Sequence, residues 1–113
     1  MRKSLTKAEI LRRRRDISRV FRSGHVHRVR GLHLRVIPND VGWSRVLFAA
    51  TRQFSGAVAR NRARRLVREA YRSYKPEIAG NYDVAFVLYP GSFSYSDRCS
   101  QVETLLRRAE LIS

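Results

Sequence analysis

Arginines and apolar residues recur with a helical period over residues 59–72, and this segment constrains the fold more than any other feature of the sequence. On an α-helix that turns ~100° per residue, one face would be apolar, with Ala59, Ala63, Leu66, Val67, Ala70, Tyr71 and Tyr74. The other face would carry Arg60, Asn61, Arg64, Arg65, Arg68 and Arg72. Such a helix must bury one side in a core. Ser55-Gly56 and Lys75-Pro76 predict that it runs from about Ala57 to Tyr74.

The basic face of this helix has almost no acidic residues. Arg60, Arg64, Arg68 and Arg72 follow one another at i,i+4, and Glu69 is the sole acid in the segment. Like charges at this spacing destabilise an isolated helix, and solvated faces usually mix the two signs. A row of phosphates would make the same face favourable, so the pattern indicates contact with nucleic acid. A plain solvated face and an anionic membrane surface are the alternatives.

The net charge supports a polyanionic partner. The chain has 24 Lys and Arg against 9 Asp and Glu, a formal net charge of +15. Only Lys3, Lys7 and Lys75 are lysines, so the basic residues are almost all arginine. A guanidinium grips phosphate bidentately and stacks on bases. An excess of this size destabilises the compact chain through self-repulsion, and a polyanion would relieve it.

The sequence lacks the features that are typical of membrane-spanning proteins and of secreted, disulfide-bonded proteins. The longest apolar runs, residues 46–50 and 84–89, are far shorter than the ~20 residues of a membrane span, so we expect no membrane partner. The amino terminus is charged through Arg15, which argues against a secretory signal. Cys99 is the only cysteine, which excludes an intramolecular disulfide and favours a reducing, cytoplasmic location.

Helix and strand patterns alternate along the rest of the chain. Residues 5–23 predict a basic arm leading into a helix that ends at Ser23-Gly24, and Thr6 with Glu9 resembles a capping box where this helix could begin. Strands are predicted at residues 32–37, 45–51 and 82–89, with a short extra strand within residues 25–30. A last helix is predicted from 95 or 96 to about 109, capped by Ser96 or Asp97, with Val102, Leu105, Leu106 and Ala109 on its apolar face.

This order of elements predicts an α+β or mixed α/β domain, in which one sheet is backed by helices. A chain of 113 residues is long enough for one core and too short for two. We therefore expect a single RNA-binding domain over residues 1–113, with residues 1–8 as a basic arm that can be flexible. Trp43 falls in a turn region and is expected to act as a structural plug.

The arginine-rich helix resembles the signature segment of the protein subunit of bacterial ribonuclease P. Residues 57–71 carry its hallmark Arg60-Asn61-Arg62, and basic residues follow at 64, 65 and 68. The resemblance extends to the family's first helix, to the link into the signature helix and to a late strand, at residues 16–24, 51–56 and 82–87. It thus covers nearly the whole chain in the right order.

The resemblance implies a fold and a role. The fold is a single α-β-β-β-α-β-α domain with a left-handed crossover, similar to a domain of ribosomal proteins. It has a mixed sheet of three to four strands backed by helices. The protein is an accessory subunit, because the partner RNA is the catalyst and uses Mg²⁺ to remove the 5′ leader of precursor tRNA. The implied partners are ribonuclease P RNA and precursor tRNA, with no cofactor on the protein and no obligate protein partner. A ribosomal or RNA-chaperone protein of similar size is the main alternative.

The resemblance also implies which residues bind RNA. Contacts with the catalytic RNA would come from the signature helix, through Arg60, Asn61, Arg62, Arg64, Arg65, Arg68 and Arg72. A cleft between the first helix and the sheet would hold the leader, with Phe21 as a stacking platform. The candidates in the cleft are Arg14, Ile17, Phe21, Arg35 and Arg52. The family often has aromatic residues at position 17 and near 35, so here the leader contact is expected to depend more on charge than on stacking.

A nuclease made of protein alone is disfavoured, because acid–base or two-metal cleavage needs clustered His, Lys or carboxylate groups. The acids lie singly near turns or helix ends, where capping is the expected role: Asp16, Asp40, Asp83 and Asp97. The histidines, His25, His27 and His33, are expected on a loop or a strand surface. We therefore expect no catalytic side chain and no metal site. A DNA-binding domain would need a helix-turn-helix pair, and no such spacing is visible.

Overall fold

The computed structural model describes residues 5–113, which form a four-stranded sheet with helices on both faces. Residues 1–4, half of the predicted basic arm, lie outside the described residues. In the other half, Leu5 packs against the core and Lys7–Glu9 form a short 3-10 turn. The elements in chain order are α1 (Arg14–Ser23), β1 (His25–Val29), β2 (Leu32–Pro38), β3 (Arg45–Ala50), α2 (Ala57–Tyr74), β4 (Tyr82–Leu88) and α3 (Tyr95–Arg108).

The strands are arranged in the order β1-β2-β4-β3. β2 pairs with both β1 and β4 in the antiparallel sense, whereas β3 pairs with β4 in parallel. A parallel pair needs a crossover connection, and α2 lies within this one. The prediction of a single α+β domain with a mixed sheet backed by helices is confirmed, including the short extra strand β1. The left hand of the crossover stays a prediction.

The main core lies between the sheet and the two helices α2 and α3. Leu34, Phe86, Val67 and Leu105 are fully buried there. Phe86 also stacks in parallel with the half-buried Phe48, at 5.8 Å between ring centroids. The apolar face predicted for α2 is therefore the one that packs into the core, and the helix has the bounds that the sequence predicts.

A second, smaller core lies on the opposite face of the sheet, under α1. Leu11, Val20 and Ala85 are buried in it, with the partly buried Ile17 and Phe21 packed alongside. The helix ends at Gly24, where an added Cβ would sit 2.4 Å from the carbonyl oxygen of Val20. Only glycine fits this close turn from α1 into β1, which explains the stop signal in the sequence.

The predicted start of the first helix is wrong. The Thr6–Glu9 capping box exists, but it caps the 3-10 turn at Lys7–Glu9 rather than α1, which begins at Arg14. Between them, the Leu11 N–H donates to the Val46 carbonyl oxygen at 2.9 Å, and Ile10 forms a parallel bridge with Val46. The open edge of β3 thus competes with helix formation for this backbone.

The predicted cap of the last helix is also wrong. Neither Ser96 nor Asp97 is its N-cap, because α3 begins one residue after Ser94. The Ser94 hydroxyl accepts the Asp97 N–H at 3.0 Å, while the Asp97 carboxylate accepts the Ser94 N–H at 2.8 Å. This reciprocal capping box shifts the start of the helix toward the amino terminus. The apolar face of α3 is as predicted: Val102, Leu105 and Leu106 are buried, and Ala109 packs against the core.

Candidate RNA interface

The arginine-rich face of α2 points away from the core and forms what we call the arginine ribbon: Arg60, Asn61, Arg62, Arg64, Arg65, Arg68 and Arg72. Val67, Ala70 and Tyr71 on the other face are buried, so the helix cannot rotate to hide the basic side chains. Asn61, Arg62, Arg65 and Arg68 are exposed, and the other members are half-buried. From the first arginine to the last, the ribbon extends ~18 Å along the helix axis.

Most of the ribbon is not neutralised by the protein's own acids. Within residues 5–113, Arg72 is the one ribbon member with an ion pair, in which its Nη1 lies 2.7 Å from Glu69 Oε1. Arg64 donates to the Asn61 side-chain oxygen at 2.6 Å, a neutral partner that orients the guanidinium without cancelling its charge. The charges of Arg60, Arg62, Arg64, Arg65 and Arg68 therefore remain available to an external anion.

An apolar residue that we did not predict as a contact lies at the amino-terminal end of this basic surface. Val58 is 85% exposed and, with five ribbon members, lines a shallow depression of about 520 Å³. An aliphatic side chain in this position can make apolar contact with a base edge. Its position two residues before Arg60 in the predicted helix was the available sequence signal.

The structure brings together three of the five residues predicted for the cleft at α1. Ile17 packs into the small core beside Val20, so it supports the cleft from below. The Arg35 guanidinium lies 5.2 Å from the centroid of the Phe21 ring, and its Nη1 donates to the Phe21 carbonyl oxygen at 3.2 Å. Arg35 thus occupies a face of the ring on which the sequence predicts base stacking.

Of the other two predicted cleft residues, Arg14 lies on α1 and Arg52 lies in a loop outside the cleft. Arg14 is exposed at the start of α1 and shares the helical face of Ile17 and Phe21, at i, i+3 and i+7. Arg52 is exposed in the loop between β3 and α2. In the chain it is thus closer to the arginine ribbon than to α1.

An aromatic pair that we did not predict lies on the same face of the sheet. The rings of His33 and Tyr89 are 4.5 Å apart, tilted by 50°. His33 precedes Arg35 by two positions in β2, so the two side chains share a face. Burial, with added repulsion from Arg28 and Arg35, lowers the pKa of His33 and so favours the neutral imidazole. Pairing with Tyr89 depends on tertiary structure, so the sequence carried no signal for it.

Two of the acids expected to cap turns instead meet at one arginine. Asp83 is fully buried in β4 and accepts hydrogen bonds from Arg45 Nε at 2.8 Å and Nη2 at 2.7 Å. Asp16 Oδ2 in α1 lies 3.3 Å from Arg45 Nη1. The Asp83 carboxylate hydrogen bonds raise the pKa of Arg45. This network ties α1 to the sheet, so the capping role expected for Asp16 and Asp83 is wrong.

In the described part of the chain, no three His, Cys, Asp or Glu side chains come close enough to hold a metal ion. None of the helices over residues 5–113 combines the length and apolar character needed to cross a membrane.

A mixed four-stranded sheet whose crossover helix carries an arginine ribbon defines a small, basic α+β domain of the RNA-binding class. The model of the family Ribonuclease P matches residues 5–110, and the chain belongs to this family of ribonuclease P proteins. It is therefore an accessory subunit of the enzyme that processes tRNA, and the ribosomal or RNA-chaperone alternative is set aside. Membership of the family implies that it binds ribonuclease P RNA and the tRNA substrate.

Relatives with known names agree with the family. The chain is 36% identical over 107 residues to the ribonuclease P protein component of Pelotomaculum thermopropionicum, covering 91% of this chain and 94% of the relative. It is 33% identical over 111 residues to that of Roseiflexus castenholzii, covering 96% and 91%.

Solved structures show the same fold. The RNase P protein of Staphylococcus aureus matches with a TM-score of 0.84 at 20% identity, over 95% of this chain and all of that one (100%). The RNase P protein of Thermotoga maritima matches with a TM-score of 0.78 at 25% identity, over 88% and 96%.

Proposed function

We propose that the arginine ribbon binds the catalytic RNA of ribonuclease P, and that the cleft at α1 receives the single-stranded 5′ leader of precursor tRNA. The observation that carries the proposal is the set of five ribbon arginines that have no ion pair within residues 5–113. Each of them can exchange hydration for a charge-assisted contact with phosphate, and each contact releases counterions from the RNA.

The leader contact depends on charge as well as on rings. Arg35 beside Phe21 offers a cation, and the His33–Tyr89 pair offers a flat aromatic surface farther along the sheet face. Base–aromatic stacking contributes ~1–3 kcal/mol per base and tolerates any sequence, as a leader that varies between tRNAs requires. The lowered pKa of His33 favours the neutral ring, which suits this surface to stacking.

The protein supplies no catalytic group in this proposal. The RNA performs the cleavage with Mg²⁺, and the protein holds both RNAs and offsets their mutual repulsion. No protein partner and no cofactor of its own are required. The cytoplasmic location stays a prediction.

The ribbon is tested by a double variant, Arg62→Ala/Arg65→Ala, with Arg22→Ala/Arg30→Ala as the matched control. Both variants lose two exposed arginines that have no ion pair within residues 5–113, but the control residues lie at the end of α1 and in the β1–β2 turn. Dissociation constants for the catalytic RNA are measured over a series of KCl concentrations. With about six phosphate contacts, the log–log slope for the unmodified protein should be near −5, and each lost contact lowers its magnitude by ~0.9.

We expect the ribbon variant to bind the catalytic RNA at least tenfold more weakly, with a slope shallower by about 2, and to restore less precursor cleavage at low Mg²⁺. The control should stay close to the unmodified protein, and both should keep the far-ultraviolet circular dichroism of the fold. Equal losses in the two variants would mean that only net charge matters, and the ribbon would not be the site.

A further inference from the structure

Arg12, Arg13 and the single tryptophan, Trp43, line one concavity at the amino end of β3, and none of them belongs to the arginine ribbon or to the predicted cleft. We propose that this concavity is a third RNA-binding site, in which an unpaired base stacks on Trp43 while Arg12 and Arg13 bind the neighbouring phosphates. The site goes beyond the proposed function, because it does not depend on the assignment of the ribbon.

The indole of Trp43 is held in place while remaining accessible. Its Nε1–H donates to the Ala8 carbonyl oxygen at 2.7 Å, so the polar edge of the ring is satisfied by the protein. The side chain is nevertheless 45% exposed, one of the few large apolar residues in the described chain that is. A plug would be buried, so the structural role expected for Trp43 accounts for only part of its environment.

The turn that carries Trp43 is anchored to the buried ion-pair network. The Asn39 side-chain amide donates to the Trp43 carbonyl oxygen at 3.1 Å and to Asp83 Oδ1 at 2.8 Å, and its oxygen accepts the Val41 N–H at 3.2 Å. Gly42 takes the left-handed conformation that the turn requires, with φ of 96°. The ring is thus preorganised, which reduces the entropy lost when a base stacks on it.

A concavity of about 470 Å³ adjoins the ring, with Ala8 and Ile10 in its lining. Arg12, Arg13 and Arg45 line it as well, but Arg45 is already neutralised by Asp83 and Asp16. Arg12 and Arg13 are exposed and have no ion pair within residues 5–113. Two free guanidiniums beside an open aromatic face are the chemistry that recognises an unpaired nucleotide, because a base in a duplex cannot expose its face.

The site lies directly before α1, because Arg12 and Arg13 immediately precede Arg14, and the same amino-terminal segment leads toward the arginine ribbon. The amino-terminal segment approaches the carboxyl end of α2 through the Lys75–Glu9 ion pair, at 2.9 Å. One RNA could therefore extend from the ribbon to Trp43.

The test uses the single tryptophan as its own reporter. A single-stranded oligouridylate of about ten nucleotides is titrated into the protein, with Trp43 emission and acrylamide quenching followed together, and with binding followed by anisotropy of a labelled oligonucleotide. A blunt RNA duplex of the same length is the control ligand. The same titrations are made with four variants, after circular dichroism shows that each is folded. They are Trp43→Ala, Trp43→Phe, Arg12→Ala/Arg13→Ala and the ribbon variant Arg62→Ala/Arg65→Ala.

We expect saturable quenching and protection from acrylamide with the single strand but not with the duplex. Trp43→Ala should weaken single-strand binding about tenfold, Trp43→Phe much less, and Arg12→Ala/Arg13→Ala should abolish the quenching. The ribbon variant should keep it, so failure of this site and failure of the ribbon are distinguishable. The proposal is overturned if the oligonucleotide binds at saturation without changing Trp43 emission, if the duplex quenches equally, or if quenching survives in Arg12→Ala/Arg13→Ala.

Discussion

The arginines of α2 and the arginines under α1 differ in their contacts with the rest of the protein. On α2, Arg62 and Arg65 are exposed and form no ion pair in the described part of the chain. Under α1, Arg45 is held by two carboxylates and Arg35 lies against the Phe21 ring. Whether an arginine can contact RNA therefore depends on its position relative to acidic side chains and aromatic rings. The net charge of the chain overstates the number of arginines that are available to bind RNA.

One further arginine, Arg98, is buried and has a structural role. Arg98 of α3 is buried, with its guanidinium 4.5 Å from the Phe93 ring and Nη1 donating to the Gly31 carbonyl oxygen at 3.0 Å and to Gln101 Oε1 at 2.9 Å. Burial lowers the pKa of Arg98. This side chain ties α3 to the β1–β2 turn and has a structural role, although by sequence it resembles the ribbon arginines.

The largest expected difference between the two sides is in stability. Arg45→Met leaves Asp83 as a buried carboxylate without its main partner, and removing one member of a buried pair costs about 3 kcal/mol or more. Arg65→Met, on the exposed ribbon, should change the free energy of unfolding by less than about 0.5 kcal/mol. Urea unfolding followed by circular dichroism measures both. Similar losses at the two positions would break the distinction between internal and external arginines.

A smaller effect is expected in the cleft. Arg35→Met keeps the aliphatic stem but removes the cation beside Phe21, and should lower the preference of the holoenzyme for precursor over mature tRNA about fivefold, about 1 kcal/mol. Arg30→Met, in the β1–β2 turn, is the control and should leave this ratio unchanged. If Phe21→Leu instead costs much more than Arg35→Met, stacking rather than charge dominates the leader contact.

The smallest expected effect is a pH dependence on the α1 side of the sheet. Because the folded-state pKa of His33 is lowered, the unfolded chain binds more protons than the folded one as pH falls through about 6.5. The free energy of unfolding should therefore decrease below that pH, and His33→Asn should flatten this part of the profile. Urea midpoints between pH 5.5 and 8 for the two proteins provide the measurement. Parallel profiles would show that neither burial nor the cationic neighbours lower the pKa of His33 in the folded protein.

The elements that could be predicted are those whose signals are local. The amphipathic period and the flanking stop signals gave α2 its correct bounds, and the alternation in β2 identified its buried face at Leu32, Leu34 and Val36. The start of α1 was wrong because the backbone at Ile10 pairs with β3, a contact 36 residues away in sequence (46 − 10). Asp83 was misassigned for the same reason, since its partner Arg45 lies on a neighbouring strand.

Residue order alone determined that this chain has one amphipathic arginine helix, an α+β order of elements and a large positive charge, because each follows from spacing and composition. Only the tertiary structure decided which arginines remain free for RNA, which rings are already covered, and that Trp43 stays open beside Arg12 and Arg13. Those properties depend on which side chains the fold brings within a few ångströms of one another. Local periodicity does not predict such contacts, because the partners are distant in the chain.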